Sequence, residues 1–329
     1  MPAKKPAGTA RERRAMKKHR IGMGLALAAL MMAQTAWAAE RPASAERPAA
    51  ASGDHLVLLG TGGGPGGRVD RAGIATLLEV AGHRYLVDAG GGVSRQLAQA
   101  GVAERDVPLV FLTHLHDDHY AGLLSLASFA WSTRGKGMQL LGPAGTVELA
   151  HALGAVMEVN ARIRNAESGQ NRPVANFLSA RELTPEAGYD DGAVKVRAML
   201  NSHYTLMDRN RAPGAQSLSY RFEAGGKVVV FTGDTGPTAG LAEFARGADV
   251  LVAEMATAAD RAMVPPPVQR HMDVEHLSPA QVGDLATQAG VRKLVLSHVG
   301  QVDEADLAQV RAHYAGPVVL GRDLQSIAF

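Results

Sequence analysis

The sequence predicts an α/β layered fold in one large domain, and three observations carry that reading. Short β-branched apolar runs recur between Gly-rich turns, and in the C-terminal half they alternate with helical patterns. With 329 residues, 46% of them hydrophobic, the chain is long and apolar enough to bury a full core. No unit repeats at a period of about 20 to 50 residues, so a solenoid is excluded.

Taken in order, strands are expected at 55–59, 74–80, 84–87 and 109–112, then at 194–200, 217–222, 227–231, 250–253, 293–296 and 317–320. Two helices are well marked. One covers 122–130, and the other covers 279–289, where Ser278 caps, Pro279 suits the first turn, Gln281 completes a capping box and Gly290 suits the stop.

Ahead of the domain stand Lys4, Lys5, Arg11, Arg13, Arg14, Lys17, Lys18 and Arg20, an apolar run from Ile21 to Thr35, and Ala36-Trp37-Ala38. This reads as a signal peptide over 1–38, cleaved after Ala38, with a flexible Ala/Pro/Ser/Glu linker over 39–53 and the folded domain over 54–329. The apolar run is about 15 residues and broken by Gly22 and Gly24, too short for the ~20 that a spanning helix needs, so no membrane anchor is expected after cleavage. Arg13-Arg14 leaves a twin-arginine route open beside the general one. Localisation is therefore expected to be periplasmic or secreted.

Export reverses the charge argument. Residues 1–38 carry eight Lys or Arg against Glu12, and the whole chain's +2 less that +7 leaves −5 for the mature protein. Such a chain lacks the basic excess of a nucleic-acid binder, and no nucleic-acid partner is expected. Zero cysteines exclude a disulfide framework and thiolate metal sites, so any metal falls to His and carboxylate.

The chemistry is concentrated in Phe111-Leu112-Thr113-His114-Leu115-His116-Asp117-Asp118-His119, three imidazoles and two carboxylates directly after an apolar strand. Imidazole nitrogen and carboxylate oxygen are the ligands Zn²⁺ takes without thiolate, and a strand end fixes the backbone they project from. This His-x-His-x-Asp-His string resembles the signature of the metallo-β-lactamase superfamily, and the resemblance extends over 54–329 through Asn201-Ser202-His203, Thr232-Gly233-Asp234-Thr235 and Leu296-Ser297-His298.

The resemblance implies a four-layer αββα sandwich and two divalent metals, zinc first, with manganese or iron as alternatives. It places His114, His116 and His203 on one metal, Asp118, His119 and His298 on the other, and Asp234 between them. Cations about 3.5 to 4 Å apart repel and need a negative bridge. The expected reaction is attack by a bridging hydroxide on an ester bond, with Asp118, His276 and Glu254 as the candidate catalytic side chains.

Other residues have competing readings. Asp88 matches a superfamily aspartate that orients a ligand histidine, or is a strand-end turn carboxylate. His276 contacts the developing anion or donates a proton, by resemblance to the ribonuclease Z and arylsulfatase branches, or only packs near the helix start; Glu254 orients it or is structural. The Gly-x-Gly-x-x-Gly spacing of Gly60 to Gly67 is rejected as a dinucleotide loop because a strand follows it, and a tight loop near the metals is expected. Phe129 and Trp131 pack in the core or line an aromatic pocket, and the irregular stretch 261–273 is a lid or a plain surface loop. His55, His83, His151, His271 and His313 receive no role.

An aspartate at Gly233-Asp234-Thr235 disfavours antibiotic hydrolysis, since lactam-cleaving relatives carry Cys or His there or nearby. About 30 residues separate His203 from Asp234, too few for the tRNA-gripping arm of ribonuclease Z. Closest is the arylsulfatase-like branch, through Leu59 to Pro65, Phe231 to Pro237 and Glu275-His276-Leu277-Ser278-Pro279. The expected substrate is a small anionic ester, an aryl sulfate or phosphodiester. Alternatives are a cyclic-nucleotide phosphodiesterase, a lactonase, or a periplasmic metal-binding protein without turnover. Self-association as a homodimer is compatible with this reading.

Overall fold

Side-chain alternation along the strands sorts the apolar residues into three cores, and that sorting defines the architecture. The computed structural model describes residues 53–329, so the expected signal peptide and all of the expected linker except Gly53 lie outside the described residues.

The first sheet contains β1 (His55–Gly60), β2 (Ala75–Val80), β3 (His83–Val87), β4 (Leu109–Phe111), β5 (Met138–Gly142), β6 (Leu178–Glu182) and β14 (Gln325–Ala328), in the order β14-β1-β2-β3-β4-β5-β6. The second contains β7 (Tyr189–Asp190), β8 (Lys195–Leu200), β9 (Leu218–Ala224), β10 (Lys227–Phe231), β11 (Val250–Met255), β12 (Leu294–Val299) and β13 (Val318–Leu320), in the order β13-β12-β11-β10-β9-β8-β7. Each sheet is antiparallel in one half and parallel in the other, with the changeover at β3 and at β10.

Between the sheets lie Leu56, Leu58, Tyr85 and Phe111 from one side and Tyr220, Phe222, Val252 and Val295 from the other. Phe111 meets Phe222 and Tyr220 edge-on, with ring centroids 5.0 and 5.7 Å apart. The alternate residues face outward. Leu59, Leu77 and Leu86 pack under α1 (Val93–Ala100), α3 (Leu123–Ser132) and α4 (Thr146–Ser168), with the short α2 (Asp117–Tyr120) leading into α3. Leu251, Leu294 and Leu296 pack under α5 (Leu241–Phe244), α8 (Pro279–Ala289) and α9 (Glu304–His313). Strands covered on both faces read as unbroken apolar runs, which is why Leu251 to Ala253 and Leu294 to Leu296 show no alternation of polarity. The result is the four-layer αββα sandwich.

Helix α8 has the expected bounds, with Ser278 accepting from the Gln281 amide, Pro279 in the first turn and Gly290 left-handed at φ 60°. The segment expected to be irregular instead forms α6 (Ala258–Ala262) and α7 (Pro266–Glu275). Its prolines sit in the first turn of α7, where a missing N–H costs nothing, so they start a helix instead of breaking one. Strands β11 and β12 run two to three residues past their expected ends, to Met255 and Val299, and carry Glu254 and His298 inside the sheet.

Late residues close the structure. Strand β14 pairs with β1, Leu56 opposite Ile327. Just before it, Asp323 accepts from the amides of Thr61 and Ala72 at 3.0 and 2.6 Å and so pins both ends of the Gly-rich loop.

Candidate metal centre

The parallel strands deliver their chemistry at their carboxyl ends: Asp88 after β3, Thr113 to His119 after β4, Asp234 after β10, and Glu254 and His298 near the ends of β11 and β12. The second sheet clamps the first cluster. Leu218 donates its amide to the Thr113 carbonyl at 2.8 Å, and the buried Tyr220 hydroxyl donates to the Leu112 carbonyl at 2.7 Å. A side chain at Gly233, which is left-handed at φ 59°, would place a Cβ 2.9 Å from the Leu218 carbonyl oxygen, so glycine is required there. Asp88 and His298 take positive φ, 58° and 55°, a conformation few non-glycine residues adopt outside strained functional positions.

All seven residues expected as ligands converge. His114 Nε2 and His203 Nε2 lie 3.1 and 3.0 Å from His116 Nδ1. On the other side His298 Nε2 lies 3.2 Å from His119 Nε2 and 3.1 Å from Asp118 Oδ2. Asp234 stands between the groups, with Oδ1 3.5 Å from His119 Nε2 and 3.3 Å from His298 Nδ1, and Oδ2 4.0 Å from His203 Nε2.

These spacings suit divalent cations. A tetrahedron with arms of about 2.0 to 2.1 Å has edges of roughly 3.3 Å, close to the nitrogen separations in both groups. Asp234 is 3% exposed, and its Oδ1 is buried without a hydrogen-bond donor, an arrangement that costs energy unless a cation or donor faces it. The outer nitrogens are held as metal-ligating imidazoles require: His119 Nδ1 donates to Asp88 at 2.9 Å and His203 Nδ1 to the Glu275 carbonyl at 3.0 Å. Asp88 also accepts from the Thr113 amide at 2.8 Å, so it orients a histidine and is more than a turn carboxylate. Burial holds His203 down to about 3 and His114 well below its usual value, leaving both neutral with a lone pair to offer. Against its own burial, Asp234 is kept ionised by the facing imidazoles of His298 and His119.

A cavity of about 480 Å³ opens onto this cluster, and Asp118, His276 and Glu254 all line it with His116, Asp234 and His298. His276 Nδ1 lies 3.3 Å from Glu254 Oε1, whose oxygen also accepts from the Leu277 amide at 3.0 Å. Burial opposes charging of His276, but the Glu254 carboxylate outweighs it and lifts the imidazole to about 9. The Gly-rich loop reaches the same place, since a Cβ on Gly64 would fall 1.9 Å from Asp118 Oδ2.

Two residues beyond the expected set belong to this site. His271, given no role from sequence, lines the cavity from α7, and its Nδ1 bonds Glu275, which is 3% exposed. The signal was the i, i+4 spacing of His271 and Glu275 on one helical face, which is visible only once 266–275 is recognised as a helix. The aromatic-pocket reading of Phe129 and Trp131 fails: Trp131 is in the core behind the first sheet and Phe129 is half exposed. His55 and His313 pair with Glu79 and Asp284 away from the site.

Residues 83–299 match the beta-lactamase superfamily domain. A protein named Ribonuclease Z from Mycobacterium sp. (strain KMS) is 34% identical over 287 residues, spanning 83% of this chain and 95% of its own. Among solved structures, the metallo-beta-lactamase fold protein YhfI from Bacillus subtilis has a TM-score of 0.65 at 18% identity, over 83% of this chain and 98% of its own. Human tRNase Z, short form, has a TM-score of 0.60 at 20% identity, over the same shares. The chain belongs to the metallo-β-lactamase superfamily and its ribonuclease Z-like branch, and is a hydrolase acting on ester bonds.

Proposed function

We propose that this protein is an exported dinuclear metallohydrolase that cleaves a small anionic ester, a phosphodiester first and an aryl sulfate second. The observation that carries the dinuclear reading is the unpartnered, buried Oδ1 of Asp234 between two groups of ligand-spaced atoms. When bound, two divalent cations, zinc first and manganese or iron as alternatives, attract the anionic ester and ease deprotonation of the attacking water.

The chain's own residues do the rest. His114, His116 and His203 would hold one cation and Asp118, His119 and His298 the other, with the Asp234 carboxylate lying between the two groups. Asp118, on the cavity wall, also accepts a hydrogen bond from the attacking water. His276 donates its proton to the leaving oxygen, and Glu254 keeps it charged and aimed at neutral pH.

A small substrate is supported by the charge of −5 beyond residue 38 and by the short stretch from His203 to Asp234. The relatives named Ribonuclease Z favour RNA as a second reading. Export to the periplasm or medium rests on the leader pattern of 1–38, and the mass of the mature N-terminus together with cell fractionation tests it.

The deciding experiment measures metal content and turnover of bis-aryl phosphodiester, aryl sulfate, cyclic nucleotide, lactone and precursor tRNA. Two bound metals with phosphodiester or sulfate turnover are expected; a metal-free protein, or one that cleaves only the tRNA, sinks the reading. Metal binding without any turnover selects the metal-binding protein instead. His276→Ala should keep its metal and lose ~10² to 10⁴-fold in rate.

A further inference from the structure

One wall of the cavity of about 480 Å³ is apolar, and neither the metal ligands nor the proton donor make use of it. Met263 and Val264 line it from the turn between α6 and α7, and Val268 and Met272 line it from α7 itself. Val268 and Met272 stand at i, i+4 and so share one helical face. Met263 is 63% exposed and Val268 39%; among the described residues after Leu206 they are the only large apolar side chains left so open. Apolar side chains held open in a concave site mark a place that a ligand covers.

The wall is tied at both ends. Thr257 and Asp260 cap α6 reciprocally, Thr257 Oγ1 donates to the Gln301 carbonyl at 3.0 Å, and the Gln301 amide donates to Asp260 at 3.2 Å. Arg261 Nη2 donates to Asp273 at 2.9 Å and joins α6 to α7, while the Glu275 carboxylate accepts from the Leu206 amide. The wall is also poor in positive charge. Among the described residues that line the cavity Arg68 is the only Lys or Arg, and it belongs to the Gly-rich loop, where its Nε donates to Asp70 at 3.2 Å. A nucleic acid running along α6 and α7 would meet Asp260 and no Lys or Arg for its phosphates.

His276 decides which part of the substrate lies here. It follows directly on α7, its ring centroid is 5.1 Å from that of His271, and it lines the same cavity, so a leaving oxygen within its reach carries its organic group along α7. We propose that Met263, Val264, Val268 and Met272 form the binding site for the leaving group, and that this group is an apolar phenol or alcohol instead of a nucleoside. Methionine suits the task, because its thioether is flexible and polarisable and packs against aromatic edges without demanding one shape. Each CH2 buried against the wall should strengthen binding ~3 to 4-fold. The apolar site stands on the four side chains alone; its occupation by a leaving group rests on the hydrolase reading and on the role proposed above for His276.

The test uses the full metal-loaded chain and the methyl phosphodiesters of phenol and of its para-methyl, para-ethyl and para-propyl derivatives, whose leaving groups are nearly equal in acidity. In wild type kcat/KM should rise ~3-fold or more with each added CH2. The double change Met263→Gln with Met272→Gln keeps volume and adds polarity; it should cut the gain to less than ~1.5-fold per CH2 with metal content unaltered. Met263→Leu with Met272→Leu should keep the gradient. Met263 is exposed and Met272 half-buried, so both double variants should fold, which thermal unfolding checks. Calorimetric titration with the free phenols reads the wall without turnover, and their Kd should fall by the same ~3-fold or more per CH2. Diester turnover that ignores chain length, a gradient that survives the glutamine pair, or cleavage of precursor tRNA in preference to every diester overturns the proposal. Phenol affinity that climbs with chain length while no diester is cleaved upholds the apolar site and sinks the hydrolase reading instead.

Discussion

Replacing Glu254 with Gln removes one charge and little volume, and its effect should depend on pH in a way that no packing defect imitates. The carboxylate lies 3.3 Å from His276 Nδ1 and lifts that imidazole from 6.5 to about 9 against the opposing pull of burial. A lift of that size is worth about 3 kcal/mol. With the charge gone, burial is opposed only by Asp234 and Glu275, and His276 falls back toward its ordinary 6.5. At pH 8 the protonated fraction then falls from about 90% to about 3%, a loss of ~30-fold in acid-dependent rate. At pH 6 most of the imidazole remains charged, and the loss is correspondingly smaller. Because the folded value is the raised one, the pair also stabilises the fold below pH 6.5, and this contribution disappears as pH rises through about 9. The assay is kcat/KM against pH for a phosphodiester, with metal content held constant. A defect equal at all pH values, or an alkaline limb that stays near 9, would refute the acid role of His276.

Four further substitutions probe the site and the core. Asp234→Ala should strip metal to below two equivalents by mass spectrometric metal analysis and abolish nearly all turnover while circular dichroism remains native. Asp88→Asn should cost ~10 to 100-fold in metal affinity, measured by chelator competition, because His119 loses the carboxylate that fixes it. Gly64→Ala drives a Cβ to 1.9 Å from Asp118 Oδ2 and should release one metal of the pair first in a chelator titration. Phe111→Ala removes the ring that joins both sheets and should destabilise the fold by about 3 to 5 kcal/mol in denaturant melts, with metal stoichiometry retained in the surviving native fraction.

The legible part of the fold was the part written in local chemistry. Helix α8 announced itself through Ser278, Pro279, Gln281 and Gly290, and the core strands through runs such as Leu294 to Leu296. Helix α4 carries no side-chain cap and exposes Val156, Val159 and Ile163, so its apolar residues form no single buried stripe to read. Helix α7 was hidden by prolines that suit a helix start as well as a loop. In the site, the His-x-His-x-Asp-His string after an apolar strand was legible by itself, while His203, Asp234 and His298 were reached through the family resemblance, and the fold brings all of them together. Glu275 was not legible, because its backbone carbonyl serves His203 across 72 residues and its side chain holds the Leu206 amide. Such partners are set by tertiary packing and leave no motif.

The pairing of β14 with β1, and the grip of Asp323 on Thr61 and Ala72, make the shape of the site's mouth depend on residues far from it in sequence. The Gly-rich loop beside Asp118 is anchored by Asp323, about 250 residues along the chain from it. These contacts span 251 and 262 positions of sequence, so closing them costs more chain entropy than any local turn. A chain cut between β13 and Asp323 therefore keeps every residue of the His cluster but loses the anchor of the loop that shapes its mouth. The register of the metal cluster is thus tied to Asp323 and β14, which contribute no ligand to it, so the mouth can be loosened without touching any ligand.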